Sequence, residues 1–237
     1  MSTTRPRSVT IAVDDAHRVS GLLQAPRAAR ACYVLAHGAG AGMAHPFMAA
    51  IAKELEERGI ATLRYQFPYM ERGSKRPDPP RLAQATVRAA VIAAARLQPD
   101  LALFAGGKSF GGRMTSQAQA DAPLPGVRGL VFLGFPLHPP GRASDERGQH
   151  LAAIKIPLLF LQGTRDEFAQ RALLEPLVAS LGAHATLHLF EEADHSFHVP
   201  ARTGRKDAQV RSELLDRLAG WIDGVLASPQ RPETPPR

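Results

Sequence analysis

The sequence predicts an α/β fold built on a mostly parallel sheet with helices on both faces, and three observations carry that reading. Apolar runs of strand length alternate with stretches whose apolar residues recur every three or four positions, the pattern of successive strand–helix units. One run, Leu101-Ala102-Leu103-Phe104-Ala105, leads into Gly106-Gly107-Lys108-Ser109-Phe110-Gly111-Gly112, a glycine-flanked serine suited to a sharp strand-to-helix turn. The chain has 237 residues and 44% hydrophobic content, enough for one large core.

Taken in order, about eight strands are expected, at residues 8–13, 21–24 (a short piece), 32–36, 60–65, 101–105, 129–133, 157–162 and 186–190. Helices fill the gaps. Phe47, Ile51 and Leu55 recur every four residues, with Pro46 suited to a first helical turn. Val87, Val91 and Ala94 form a second stripe, residues 111–120 open a helix after the serine, and Val210, Leu214, Leu218, Trp221, Ile222 and Val225 form the last. These stripes are core surfaces. Residues 1–227 are expected to form a single domain, and the proline-rich polar stretch 228–237 a disordered tail.

A serine hydroxyl on such a turn becomes a nucleophile only with a base in hydrogen-bond reach and a carboxylate to orient that base. Gly107 and Gly111, two residues to either side of Ser109, are expected to face each other so closely that a β-carbon on either would clash. A phosphate-binding loop is the competing reading of Gly107-Lys108-Ser109, but the first glycine of that pattern would fall at Ala102, inside the strand. The orienting acid is expected at Asp166, on the loop after the strand 157–162, with its neighbour Glu167 as the alternative. The base is expected at His195, just after the strand 186–190; His198 and Asp194 are its rivals nearby. The order Ser109, Asp166, His195 is the chain order of one large hydrolase class. A metal site at Asp194, His195 and His198 lacks a compact ligand motif, and none is expected.

Acyl transfer also needs two backbone N–H groups aimed at the developing oxyanion. These are expected from Phe110, which follows the serine, and from Ala39 in the glycine-rich loop His37-Gly38-Ala39-Gly40-Ala41-Gly42 after the strand 32–36, with His37 bracing that loop. Two insertions, 66–80 and 135–150, follow strands and should overhang the carboxyl edge of the sheet, where ligands bind in open α/β folds. Neither is long enough for a large cap domain. The expected pocket is lined by Phe67, Tyr69, Phe110, Leu137 and Phe197, with Arg72, Arg113 and His138 as contacts for a polar or anionic group.

The segments 35–43, 67–71, 106–114 and 134–141 together resemble one compact branch of the α/β-hydrolase superfamily. That branch is similar to dienelactone-hydrolase-like bacterial proteins, and it groups with a testis-expressed eukaryotic protein and a subunit of a nuclear histone-acetyltransferase complex. The resemblance runs from about residue 10 to residue 226 and implies the α/β-hydrolase fold and the triad Ser109, Asp166, His195. Dienelactone hydrolases proper carry cysteine where this chain has Ser109. From the residues themselves, the activity expected is that of a serine hydrolase cleaving a small or medium carboxylic ester, or a thioester or amide, through an acyl-enzyme, with no cofactor; a catalytically quiet binding or scaffold protein is the alternative.

The net charge of +7 comes from scattered arginines without an interleaved aromatic platform, so no nucleic-acid partner is expected. No apolar run approaches the ~20 residues that cross a bilayer, and the first residues lack the apolar core of a signal peptide. The single cysteine, Cys32, reads as a small buried hydrophobe. A cytoplasmic monomer or homodimer is therefore expected.

Overall fold

The structure, a computed structural model, describes residues 5–228. Residues 229–237, nearly all of the expected tail, lie outside the described residues. Eight strands form one sheet: β1 (Arg7–Ala12), β2 (Arg18–Gln24), β3 (Ala31–Ala36), β4 (Ile60–Tyr65), β5 (Ala102–Lys108), β6 (Val127–Leu133), β7 (Leu158–Gly163) and β8 (Ala185–Phe190). Their spatial order is β1-β2-β4-β3-β5-β6-β7-β8. β2 runs antiparallel to both β1 and β4, and every later pairing is parallel. This is the α/β-hydrolase fold without a large cap domain.

The uniformly apolar central strands follow from burial on both faces. Along β3, Cys32, Val34 and Ala36 enter one core cluster while Ala31, Tyr33 and Leu35 enter the other. On the first side lie α3 (Pro80–Leu97), α4 (Phe110–Asp121) and α5 (Arg171–Ser180), through Val87, Val91, Met114, Ala118, Leu174 and Val178. On the other lie α1 (Pro46–Glu57) and α6 (Asp207–Ala227), through Met48, Ile51, Leu55, Val210, Leu214 and Leu218. Arg58 pairs with Asp216 at 2.8 Å and Arg211 with Glu54 at 2.7 Å, clamping the end of α1 to α6. Part of the chain's arginine content thus lies between helices. Cys32 is fully buried, and burial pushes its thiol up to about 12.

Both insertions carry short helical pieces, α2 (Pro68–Glu71) in the first and a 3-10 helix (Glu146–Ala153) in the second. These insertions and the loop after β8 place more side chains in the core than the sequence predicts. Phe67, Tyr69, Leu137, His138 and Phe197 are all at most 2% exposed, so they form the packed floor and walls around the site rather than an open lining. Local bonds explain why. His138 donates from Nδ1 to the Pro139 carbonyl (2.9 Å) and accepts the Gln170 N–H at Nε2 (3.2 Å). Arg72 is turned to Asp78 at 2.7 Å, and the other carboxylate oxygen of Asp78 accepts the Tyr69 N–H.

Candidate active site

Ser109 sits between β5 and α4 with φ 50° and ψ −115°, a conformation that costs a non-glycine residue of order 1–3 kcal/mol and clusters at functional sites. The glycines beside it are required by the close approach of the end of β3. A β-carbon on Gly107 would stand 2.2 Å from the Ala36 carbonyl oxygen, and one on Gly111 would stand 2.6 Å from both Ala36 Cβ and the His37 oxygen. The nearest crowding at both glycines is against the end of β3. It presses the loop that follows β3 against the serine, where Gly38 comes within 3.8 Å of Ser109 Cβ, measured from the position its own β-carbon would take.

Three loops at the carboxyl edge then converge. The β7 loop delivers Asp166 and the β8 loop delivers His195, and the Arg165 N–H bonds the Ala193 carbonyl at 2.9 Å to hold the two loops together. His195 Nε2 lies 2.8 Å from Ser109 Oγ, and its Nδ1 lies 2.6 Å from Asp166 Oδ2. Asp166 is 4% exposed; Oδ2 also accepts from Gln162 Nε2 at 2.5 Å, and Oδ1 accepts the Phe168 N–H at 2.8 Å. With Nδ1–H donated to the carboxylate, Nε2 is left to accept the serine proton. Burial holds the His195 imidazole below its ordinary value, partly offset by the Asp166 hydrogen bond and reinforced by the charge of Lys108, so the neutral form is favoured. Phe168 lies against the imidazole, its ring centroid 4.4 Å away.

The glycine-rich loop after β3 is held from three sides. His37 donates Nδ1–H to the Gly38 carbonyl (2.7 Å) and accepts the Phe67 N–H at Nε2 (3.2 Å), a pattern only the neutral ring supports. Burial pushes its imidazole down to about 4, which preserves that neutral ring. The Tyr69 hydroxyl accepts the Gly40 N–H at 2.9 Å, and Gln66 Oε1 accepts the Met43 N–H at 2.8 Å. Among the described residues the N–H groups of Ala39 and Phe110 have no acceptor; Phe110 opens α4, where the first N–H groups lack helical partners.

A family model described as an alpha/beta hydrolase domain matches residues 29–223, most of the chain and all of the site. The chain belongs to the alpha/beta hydrolase domain family. Solved structures with the same fold include dienelactone hydrolase from Anabaena variabilis, at TM-score 0.73 and 20% identity over 93% of this chain and 99% of that one. Another is a Xanthomonas campestris protein described as an α/β serine hydrolase without lid, at TM-score 0.72 and 20% identity over 97% and 99% of the two chains. Est1E from Butyrivibrio proteoclasticus aligns at TM-score 0.65 and 16% identity over 90% and 99%.

Within this alpha/beta hydrolase domain the rival residues have other work. Asp194 Oδ1 accepts the N–H groups of Ser196 (2.7 Å) and His198 (2.9 Å), shaping the turn that carries His195. His198 is exposed and pairs with Asp207 at 2.8 Å, which raises its imidazole. Glu167 is exposed. Among the described residues no cluster of three or more His, Cys, Asp or Glu is arranged to hold a metal ion, and no helix is long and apolar enough to cross a membrane.

Of the expected pocket residues, Phe110 is 9% exposed and packs edge-on against Phe67 (5.3 Å) and Tyr69 (6.5 Å). Arg113 lies one turn further along α4, its guanidinium 5.9 Å from the Phe110 ring centroid, and its buried Nε has no hydrogen-bond partner among the described residues. Two residues were given no role at this site from the sequence: Phe168, against the imidazole, and Lys108, weighed there only as part of a phosphate-binding loop. The lysine precedes the serine directly, and its presence at the end of an otherwise apolar strand was the available signal.

Proposed function

We propose that this protein is a serine hydrolase of small or medium carboxylic esters, working through an acyl-enzyme, with thioesters and amides as slower alternatives. The continuous hydrogen-bond chain from Ser109 Oγ through His195 to the buried Asp166 carries the reading, because hydroxyl, imidazole and carboxylate stand in the order that nucleophilic catalysis requires. Ser109 attacks the acyl carbonyl as His195 Nε2 takes its proton. Asp166 holds the imidazole in the tautomer that leaves Nε2 open and stabilises the imidazolium. The oxyanion is received by the N–H groups of Ala39 and Phe110, and His195 then returns its proton to the departing alcohol. Water, activated by the same imidazole, releases the acid and restores the serine. Arg113, partly exposed one turn beyond the serine, contacts a polar or anionic end of the acyl group.

Intact-mass spectrometry after exposure to a fluorophosphonate tests the reading. One adduct is expected on the native chain and none on Ser109→Ala, with labelling of His195→Ala slowed beyond detection. A folded native protein that takes no adduct would indicate a binding protein that keeps the residues without the chemistry.

A further inference from the structure

Lys108 points its ammonium into the space behind His195. Nζ donates to the main-chain carbonyl of His195 at 2.5 Å and stands 5.7 Å from the Phe197 ring centroid. It passes Gly134 so closely that a β-carbon there would lie 2.9 Å from Nζ and 3.4 Å from both Cε1 and Nδ1 of His195. Glycine at 134, with φ 72°, thus leaves room for both the lysine and the imidazole. Phe197 holds the opposite wall with φ 63°, a strained conformation for a bulky side chain.

The acids near this ammonium are already committed. Asp166, from the β7 loop, is bonded to His195, Gln162 and the Phe168 N–H; Asp194, from the β8 loop, is bonded to two N–H groups of its own turn. Neither forms an ion pair with Lys108, though both act on it at longer range. Lys108 is half-buried, and a partly desolvated cation with no ion-pair partner among the described residues acts through its field on the imidazole of His195 beside it.

We propose that Lys108 is a positioning residue that holds His195 through its main-chain carbonyl and sets the acid limit of the pH range in which the imidazole serves as a base. The proposal rests on the reading of His195 as the catalytic base. While charged, Lys108 disfavours a second cation on the imidazole and so keeps Nε2 free at lower pH. Burial pushes the lysine down to about 8, partly opposed by Asp166 and Asp194. It is therefore charged across the acid side of the profile, where this effect matters.

Three variants separate charge from hydrogen bonding. Lys108→Gln retains a donor without the charge, Lys108→Met retains the apolar stem alone, and Lys108→Arg retains charge and donors. The ratio of kcat/KM at pH 8 to that at pH 6 for a p-nitrophenyl ester should rise at least about threefold in the first two and remain near the native ratio in the third. An equal loss at every pH would mean a merely structural lysine and would overturn the proposal. NMR titration of the His195 ring reads the same effect without turnover: its midpoint should rise in Lys108→Gln, and an unmoved midpoint overturns the proposal even where no ester is hydrolysed. Absence of turnover and of fluorophosphonate labelling would instead defeat the hydrolase reading. If the variants do not fold, the native protein still decides, since its His195 ring signals should show a second, smaller step as Lys108 titrates near pH 8; a ring that shows no such step overturns the proposal.

Discussion

Tyr69→Phe removes one oxygen from a buried ring and leaves its packing against Phe67 and Phe110 intact. The lost oxygen is the acceptor for the Gly40 N–H, which ties the middle of the glycine-rich loop to α2 between the anchors at His37 and Met43. Such a bond contributes about 1 kcal/mol net, rising to about 1.5 kcal/mol where the freed donor stays poorly solvated. The neighbouring Ala39 N–H is the proposed oxyanion donor. The loop's competent arrangement becomes less favourable by about that amount, so kcat/KM should fall about five- to twelvefold. It should fall by less than the loss of a donor itself, which costs about 3 kcal/mol. Thermal midpoint should drop by about 2–4 °C. Steady-state hydrolysis of a p-nitrophenyl ester and the rate of fluorophosphonate labelling, measured together, provide the assay. Rates equal to native in both would refute the role given to Tyr69 and the placement of the oxyanion donor in its loop. A fall beyond about a thousandfold would refute the bound, because loop loosening through one hydrogen bond cannot supply it.

Other perturbations test separate parts of the structure. Gly107→Ala forces a β-carbon to within 2.2 Å of the Ala36 oxygen at a φ of 155°, so β3 and β5 must part; we expect a loss of about 3 kcal/mol or more in urea unfolding, with labelling of Ser109 abolished. Stability itself should fall on acidification from pH 6.5 toward 4. Burial pushes His37 and His150 each to about 4, so the unfolded chain binds two protons that the folded chain refuses, and the slope reaches at most about 2.7 kcal/mol per pH unit; unfolding midpoints in urea that stay constant across that range would contradict it. The acid limb of kcat/KM should have its midpoint below 6.5, because burial of His195 favours the neutral base; a midpoint above 6.5 would count against that sign. His198→Ala, at the exposed rival histidine, should leave labelling within about twofold of native, since its side chain is paired to Asp207 away from the serine.

Strand positions were legible because burial on both faces demands uninterrupted apolar runs, as in residues 31–36 and 158–163, and helices because one face alone is buried. The strand at residues 60–65 was bounded to the residue, whereas β5 runs on to Lys108 because its glycines still pair with β3 and β6. The insertions and the loop after β8 were the least legible. Phe67, Leu137 and Phe197 read as pocket lining from their place after strands, yet core packing and local hydrogen bonds claimed them, and none of these segments has a periodicity to announce it.

By itself the sequence determined the order of strands and helices, the glycine-flanked turn at Ser109, and the residues Asp166 and His195 on loops at strand ends, since each depends on local spacing and apolar pattern. Tertiary structure alone decided which atoms meet: that Gly107 and Gly111 yield to β3, that Tyr69 and His37 hold the glycine-rich loop, and that Lys108 stands behind His195. Those contacts join segments tens of residues apart, and a distance of 2.5 Å between Lys108 and the carbonyl of His195 is set by how three loops pack at one sheet edge, which no local spacing encodes.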